Sequence, residues 1–339
     1  MKNKYPKLNY IGNKEKISEW ISSLIPSDAT SLLDAFAGGS SIGYTAKCKG
    51  LTVFSNDILS VNYHIAKAII ENKSETLTEK DIEIIFDGTP IEGFMYHNYA
   101  NTYYFPEECK ELDLYRQNID KLSSEYKRSM ALVLIRRAMI RKMPYSRFTL
   151  KWDKIVQLRD EEYSYKVYKR KRAYHNQSFK YHFLANLKEY NEAVFDNGTT
   201  NKAYNMDVFD AIEEVTADVV YLDPPYAGTM CDYYGFYNLL DEYIEGNIKE
   251  PFENNFIDRK AVIELFDKLF SKLSHFKYWM LSYNSRSKPS KEELLAIILK
   301  YASSVEVYEM PYAYKVTGKE KKNKDIEYLF IAKSKFYGK

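Results

Sequence analysis

Cysteine is scarce in this 339-residue chain: Cys48, Cys109 and Cys231 are widely separated and odd in number. That excludes a disulfide framework, and their spacing offers no zinc-ligand pattern. The five histidines do not cluster either, so no metal is expected. No apolar run reaches the roughly 18 residues that a membrane-spanning helix needs, so no membrane association is expected. The start, Met1-Lys2-Asn3-Lys4-Tyr5-Pro6, lacks the apolar core of a secretory leader, and reduced thiols in a cytoplasmic protein are expected. Two phosphate cradles are missing as well: there is no G-x-G-x-x-G, and no lysine follows a glycine loop in the P-loop arrangement. Internal repeats and low-complexity tracts are absent.

What is present is a sheet pattern that stops and resumes. A helix is expected over Asn13–Ile25, then a strand over Ser31–Phe36, the turn Ala37-Gly38-Gly39-Ser40-Ser41, and a helix to Lys49. A second strand, Leu51–Ser55, ends at Asn56-Asp57, and the helix Val61–Glu71 follows. Strand, glycine turn, helix and strand with an acid at its tip open a parallel α/β sheet. Residues from about 75 to 200 lose this alternation and are too many for a loop in a compact fold. They read as an inserted, mostly helical domain with a helix over Ser123–Lys142. Strands return at Ala217–Leu222, Tyr278–Ser282, Val305–Met310 and Ile326–Ala332, the last two as a hairpin around Gly318–Lys324. The expected organisation is a discontinuous α/β domain, 1–75 and 201–339, interrupted by 76–200.

The formal net charge is only +2, but it is uneven. Lys127–Arg172 holds 15 lysines and arginines against 4 aspartates and glutamates, a net of +11 that leaves about −9 for the remainder. Aromatics sit in and just after this block: Tyr145, Phe148, Trp152, Tyr163, Tyr165, Tyr168, Tyr174, Phe179 and Tyr181. Cations neutralise phosphates and aromatic faces stack on bases, so the block reads as a nucleic-acid surface. The candidate contacts are Arg136, Arg137, Arg141, Lys142, Tyr145, Arg147, Lys169, Arg170, Lys171 and Arg172.

The most informative residues are Asp223-Pro224-Pro225-Tyr226, directly after the apolar run Val219-Val220-Tyr221-Leu222. Neither proline can donate to a ladder and each fixes its own φ. The product is a stiff loop presenting carbonyl oxygens beside a carboxylate and an aromatic, which suits holding a flat ring that carries an amino group. At the other end, a glycine turn without a phosphate cradle suits a non-phosphorylated nucleoside. Asp57 stands where ribose hydroxyls could donate to it, a pattern favouring S-adenosylmethionine over NAD or ATP.

Together these residues resemble the Dam-like, D12 class N6-adenine DNA methyltransferases. Tyr10-Ile11-Gly12-Asn13-Lys14 looks like the family's first motif, and Asp34-Ala35-Phe36-Ala37-Gly38-Gly39-Ser40 like its glycine motif. Asn205-Met206-Asp207-Val208-Phe209 resembles the segment flanking the cofactor's adenine, and Asp223-Pro224-Pro225-Tyr226 matches the catalytic motif at every position. The motif order is similar to the alpha group. Where Dam enzymes carry a tryptophan-type start this chain has Tyr10. The stretch Arg136–Phe148 does not match the Dam recognition hairpin and looks more like methyltransferases that protect against type IIS restriction enzymes, so a GATC target is not expected.

The resemblance implies a bacterial or phage-encoded enzyme with a Rossmann-like, S-adenosylmethionine-dependent fold and helices on both faces of the sheet. It would methylate adenine N6 in double-stranded DNA after base flipping, in a restriction-modification system with a possible cognate endonuclease. It assigns Asp223 and the Pro224 carbonyl to the two N6 hydrogens and Tyr226 to stacking on the flipped ring. Pro225 completes the motif. Lys14 would pair with the methionine carboxylate beside Tyr10. Asp34 falls near the methionine end with Phe36, Gly38 and Gly39 in the turn, Asp57 at the ribose, and Asp207 and Phe209 at the donor's adenine. Alternatives are a cytosine-N4 or RNA amino-methyltransferase, and a non-catalytic DNA-binding subunit on the same fold.

Overall fold

A computed structural model describes residues 3–10, 12–146, 148–169, 173–227, 233–250, 255–311 and 325–338. Its contacts divide the chain into two compact units. One is Tyr10–Ala66, Asp196–Cys231 and Phe252–Lys339; the other is Met1–Asn9, Lys67–Phe195 and Asp232–Pro251.

The first unit is the expected α/β sheet. Its strands are β1 Ser31–Asp34, β2 Thr52–Asn56, β3 Lys202–Tyr204, β4 Val219–Leu222, β5 Tyr278–Asn284, β6 Ala302–Pro311 and β7 Ile326–Ser334. They lie in the order β3-β2-β1-β4-β5-β7-β6. β1 to β5 pair in parallel, and β7 runs antiparallel to both β5 and β6. β4 is buried along its whole length, and Leu32 and Leu33 of β1 are fully buried, which explains why both read as apolar runs rather than alternating ones. The helix Val262–Ser271 presents Val262, Phe266, Leu269 and Phe270 to a core shared with Leu33, Val220, Leu222, Trp279, Leu281 and Phe330.

Two features aim this sheet. At the N-terminal edge, the Asp218 carboxylate accepts from Thr30 N at 2.7 Å and Ser31 N at 3.1 Å, and from both hydroxyls, pinning the starts of β1 and β4. At the opposite edge, the strand order reverses between the adjacent parallel strands β1 and β4, with β2 and β3 to one side and β5 to the other. Carboxyl ends of strands at such a reversal line a crevice. Asp34 ends β1, and Asp223 follows β4 immediately.

The second unit is helical, with eight α-helices of which Glu125–Lys142 is the longest among the described residues. Ser124 caps this helix by accepting from Lys127 N at 3.2 Å. Met130 to Ile140 are all buried, Arg136 and Arg137 included. Arg136 donates to the Leu8 carbonyl at 2.7 Å. Arg137 donates to Asn186 Oδ1 at 2.7 Å, to Asn9 Oδ1 at 3.1 Å, and to the Lys7 carbonyl. Lys142 pairs with Glu108 at 2.8 Å and donates to the Gln177 carbonyl at 2.7 Å. Arg159 grips the same Glu108 through bonds of 2.8 and 2.6 Å. Burial works against the charge of Glu108, but Arg159 and Lys142 outweigh it and hold that carboxyl below its usual range.

Arg136, Arg137 and Lys142 therefore differ from the expectation that they face DNA. They are interior residues whose guanidinium and ammonium groups clamp the segment Lys7–Asn9 and neighbouring helices. Of the other expected contacts, Arg141 is half-buried with its guanidinium 5.0 Å from the Tyr174 ring centre, and Tyr145 and Lys169 are exposed. Arg147, Arg170, Lys171 and Arg172 lie outside the described residues. The unit boundaries also differ from 1–75, 76–200 and 201–339. Residues 1–9 and the helix Tyr233–Glu245 group with the helical unit, where the Tyr243 hydroxyl donates to the Leu112 carbonyl at 3.2 Å and Arg116 to the Ile244 carbonyl at 2.7 Å. The charged turn expected at Gly318–Lys324 lies outside the described residues. No helix among those described is long and apolar enough to cross a membrane.

Candidate active site

The stiff loop after β4 meets the first turn of the unit's N-terminal segment. Lys14 precedes the short turn Glu15–Ile17 and is only 3% exposed. A buried ammonium needs close acceptors. Lys14 Nζ has three: Asp223 Oδ1 at 2.8 Å, the Tyr226 hydroxyl at 2.7 Å and Glu327 Oε1 at 3.2 Å. The ammonium's three protons thus match three oxygens within the cluster. The Tyr226 hydroxyl lies 2.8 Å from Asp223 Oδ1 and 2.9 Å from Glu327 Oε1. Having one proton, it donates to one carboxylate at a time. Pro224 is buried and Pro225 half-buried. The Asp223 carboxylate is the partly open member, with its side chain 17% exposed. Both donors engage its Oδ1.

Tyr226 is 9% exposed, with its ring edge-on to Tyr283 at 5.0 Å and 67°. Its hydroxyl is thus part of the ion cluster rather than only an aromatic face. Glu327 was not singled out in the sequence. The signal was there: a lone acid at an inward position of the alternating strand Ile326-Glu327-Tyr328-Leu329, which is fully buried.

The second half of the site is built on β1 and β2. After Asp34 the chain turns at Gly38, whose φ of +50° favours glycine and whose missing Cβ would stand 2.9 Å from Tyr10 Cε1. The hydroxyl end of the Tyr10 ring thus approaches the turn closely, and its hydroxyl accepts from Asn62 at 3.2 Å. Gly38 N donates to Asp57 Oδ2 at 2.8 Å, and Leu59 N to Oδ1 at 2.9 Å, so the turn and the tip of β2 hold each other. Gly39 continues the turn into the helix Ser41–Cys48. Asn56, buried beneath, donates to the Ala35 carbonyl at 3.3 Å and the Met206 carbonyl at 3.1 Å, joining the ends of β1, β2 and β3. Asn205 donates to the carbonyls of Asp57 and Ile58 at 2.8 and 3.0 Å. Phe36 packs edge-on against Phe256 at 5.3 Å. Asp207 is exposed and caps the helix Val208–Glu214 by accepting from Phe209 N at 2.8 Å. Phe209 is half-buried beneath the Lys268 ammonium, 4.5 Å from its ring centre.

Asp34 is 1% exposed. Gly43 N donates to its Oδ2 at 3.2 Å, while Oδ1 is buried without a hydrogen-bond partner. Burial, opposed only by the Gly43 N–H and reinforced by the negative charges of Asp223 and Asp57, pushes its carboxyl up to about 8. Burial also raises Asp57, against the N–H bonds from Leu59 and Gly38. Asp34, Asp57 and Asp223 bring three acidic side chains to the ends of β1, β2 and β4, a setting unfavourable to a bound phosphate. Asp34 Oδ1, buried without a hydrogen-bond partner, is open to a donor group at the end of β1. Among the described residues no group of three or more His, Cys, Asp or Glu is placed to hold a metal ion.

Comparison with known proteins gives a consistent picture. The family model for D12 class N6 adenine-specific DNA methyltransferase matches residues 10–297. The chain is 54% identical over 332 residues, 98% of its own length and 99% of the relative's, to the type II methyltransferase M2.HphI of Haemophilus parahaemolyticus. It is 26% identical to the type II methyltransferase M.FokI of Planomicrobium okeanokoites, covering 95% of this chain and 52% of that longer protein. It is 23% identical to the type II methyltransferase M.NlaIII of Neisseria lactamica, covering 97% and 100%.

The Asp34 environment has a thermodynamic consequence. Its folded-state pKa of about 8 lies above the ordinary value of about 3.9, so the folded chain binds this proton more tightly. That contribution to stability is complete below about pH 4, falls as pH rises toward 8, and is flat beyond. Asp34→Asn, neutral throughout, removes the decline. In chemical denaturation at pH 5 and pH 8.5, the variant gains stability relative to the parent at the higher pH. A difference that does not change with pH contradicts a protonated, buried Asp34.

Proposed function

The chain belongs to the D12 class N6 adenine-specific DNA methyltransferases, and on that premise we propose how its own residues carry the reaction. It methylates adenine in DNA within restriction-modification. The observation that carries the residue assignment is the placement of Asp223 and Asp34 at the carboxyl ends of adjacent parallel strands, where the strand order reverses.

S-adenosylmethionine is the proposed donor and, when bound, supplies a methyl group already activated on a positive sulfur. Asp34 and Asp57 hold its cationic amino-acid end and its ribose, with Tyr10, Phe36, Gly38 and Gly39 shaping the turn. Asp207 and Phe209 flank its base. The acceptor nitrogen is conjugated into the adenine ring, so its lone pair is a poor nucleophile, and it lies inside the duplex. Extruding the nucleotide costs a few kcal/mol. Asp223 and the Pro224 carbonyl then accept the two N6 hydrogens, favouring a tetrahedral nitrogen with its lone pair directed at the methyl group. Positioning of this kind is worth several kcal/mol.

Lys14 takes a role different from pairing with the methionine carboxylate. Its ammonium donates to Asp223 Oδ1 at 2.8 Å and so fixes the orientation of that acceptor. The stiff Pro-Pro segment fixes the loop so that neither carboxylate nor carbonyl has to be ordered during the reaction. For DNA, Arg141, Tyr145 and Lys169 form the proposed contact set among the described residues, with Arg147, Arg170, Lys171 and Arg172 completing it. The site-specific activity, its recognition sequence and a cognate endonuclease belong to this proposal.

Asp223→Ala is expected to abolish methyl incorporation into DNA while S-adenosylmethionine still binds by calorimetry. Transfer at the parent rate would remove Asp223 from the chemistry. A second measurement separates surface from interior cations. The double variant Arg141→Ala, Lys169→Ala should flatten the dependence of log binding constant on log salt by up to about 0.9 per lost phosphate contact. Arg136→Ala should instead lower thermal stability and leave that slope unchanged. The reverse pattern would restore the interior arginines as DNA contacts.

A further inference from the structure

The strand that leads into the proposed base-flanking segment is the least supported of the sheet. β3 is an edge strand of three residues, Lys202–Tyr204, and in the described sheet its neighbour is β2. So short a ladder fixes little beyond itself. Yet the residues directly after it, Asn205 to Phe209, must stand at a set distance from Asp57 if one nucleoside is to touch both.

Two asparagines take over where the ladder stops. A bond from Asp57 N to the Tyr204 carbonyl at 3.3 Å closes it. Beyond that point the Asn56 side chain does for Met206 what a neighbouring strand would do. Its Oδ1 accepts from Met206 N at 3.2 Å, and its Nδ2 donates to the Met206 carbonyl at 3.1 Å. The same Nδ2 donates to the Ala35 carbonyl at 3.3 Å, and the Asn56 carbonyl accepts from Ala37 N at 2.8 Å, so this residue also grips the start of the glycine turn. Asn205 returns the grip: its Nδ2 donates to the carbonyls of Asp57 and Ile58 at 2.8 and 3.0 Å. An amide side chain suits this task because it offers donors and an acceptor without a charge. Asn56 is 1% exposed, so water does not compete for its bonds, whereas Asn205 is exposed.

We propose that Asn56 and Asn205 are positioning residues for the methyl donor, a reciprocal clasp that sets the spacing between Asp57 and the segment Asp207–Phe209 before the donor arrives; this rests on the reading that puts the donor's ribose at Asp57 and its base at Asp207 and Phe209. Both act through their neighbours rather than on the donor. Without the clasp the donor itself has to order the segment, and ordering one backbone residue weakens binding about tenfold. The chemical step is untouched, because a bound donor holds the segment in place. The signature is lost affinity at an unchanged rate.

The test compares Asn205→Ala and Asn56→Ala with the parent, each as the full chain. Three quantities are read: calorimetric affinity for S-adenosylmethionine and for S-adenosylhomocysteine, single-turnover methyl transfer with donor and DNA saturating, and amide hydrogen exchange of Met206 without donor. Both variants should bind both ligands about tenfold more weakly, since the two ligands share one nucleoside. Transfer at saturation should stay within about threefold of the parent. Asn205→Ala cuts only the bonds to Asp57 and Ile58, yet Met206 should exchange faster although its own partner Asn56 is intact. Asp218→Asn is the control: it loosens the opposite edge of the same sheet, so it should lower thermal stability and leave both affinities unchanged. If Asn56→Ala does not fold, Asn205→Ala, at an exposed position, decides alone. Parent-like affinity in Asn205→Ala, a rate that falls at saturation while affinity holds, or equal weakening in Asp218→Asn overturns the proposal. Asp57→Ala keeps the two questions apart. If it binds the donor as the parent does, the placement of the ribose fails and the clasp with it; if it binds weakly while Asn205→Ala is normal, only the clasp fails.

Discussion

The structure turns on one buried cation. Lys14 has almost no access to water, and a bare ammonium there would cost several kcal/mol without acceptors. Its three oxygens come from Asp223, Tyr226 and Glu327, two of them on the loop after β4 and one on β7. Satisfying Lys14 therefore brings three distant parts of the chain to one point. It fixes the first motif against the catalytic motif and β7, and leaves Asp223 as the partly open member. The two prolines make the loop stiff, and the ammonium decides where it stiffens.

The rest of the site follows from charge. Asp34 and Asp57 share the sheet edge with Asp223, and no cation among the described residues is paired with either. The cost shows in the carboxyl of Asp34, pushed up to about 8. A protein tolerates such strain where a ligand relieves it. A positively charged, phosphate-free nucleoside is the ligand proposed to do so. The same acidity explains why the glycine turn carries no lysine and has no use for a phosphate cradle.

Much of this was legible in the residues themselves. Asp223-Pro224-Pro225-Tyr226 after an apolar strand, and the turn at Gly38 before an acid-tipped second strand, are local signals, and both follow the strands they were expected to follow. The resemblance to the D12 class was carried by the same residues and agrees with the family model. Non-local facts were not legible. Arg136 and Arg137 read as surface cations because charge is normally solvated, yet their helix is buried and they satisfy the carbonyls of Leu8 and Lys7. Lys142 read the same way and is locked to Glu108. The helix Tyr233–Glu245 follows the catalytic motif in sequence but packs within the helical unit, because its partners Leu112 and Arg116 are more than a hundred residues away. Glu327 was hidden by ordinary strand alternation around it.

The account depends most on what Lys14 serves. Replacing it with methionine keeps the side chain's bulk and removes its charge. Single-turnover methyl transfer at saturating donor, measured beside the donor's dissociation constant, separates the two roles directly. If Lys14 serves Asp223, the transfer rate falls by at least about a hundredfold while donor affinity changes little. If donor affinity collapses and transfer at saturation stays near the parent rate, Lys14 binds the donor's carboxylate and the cluster described here is not the heart of the site.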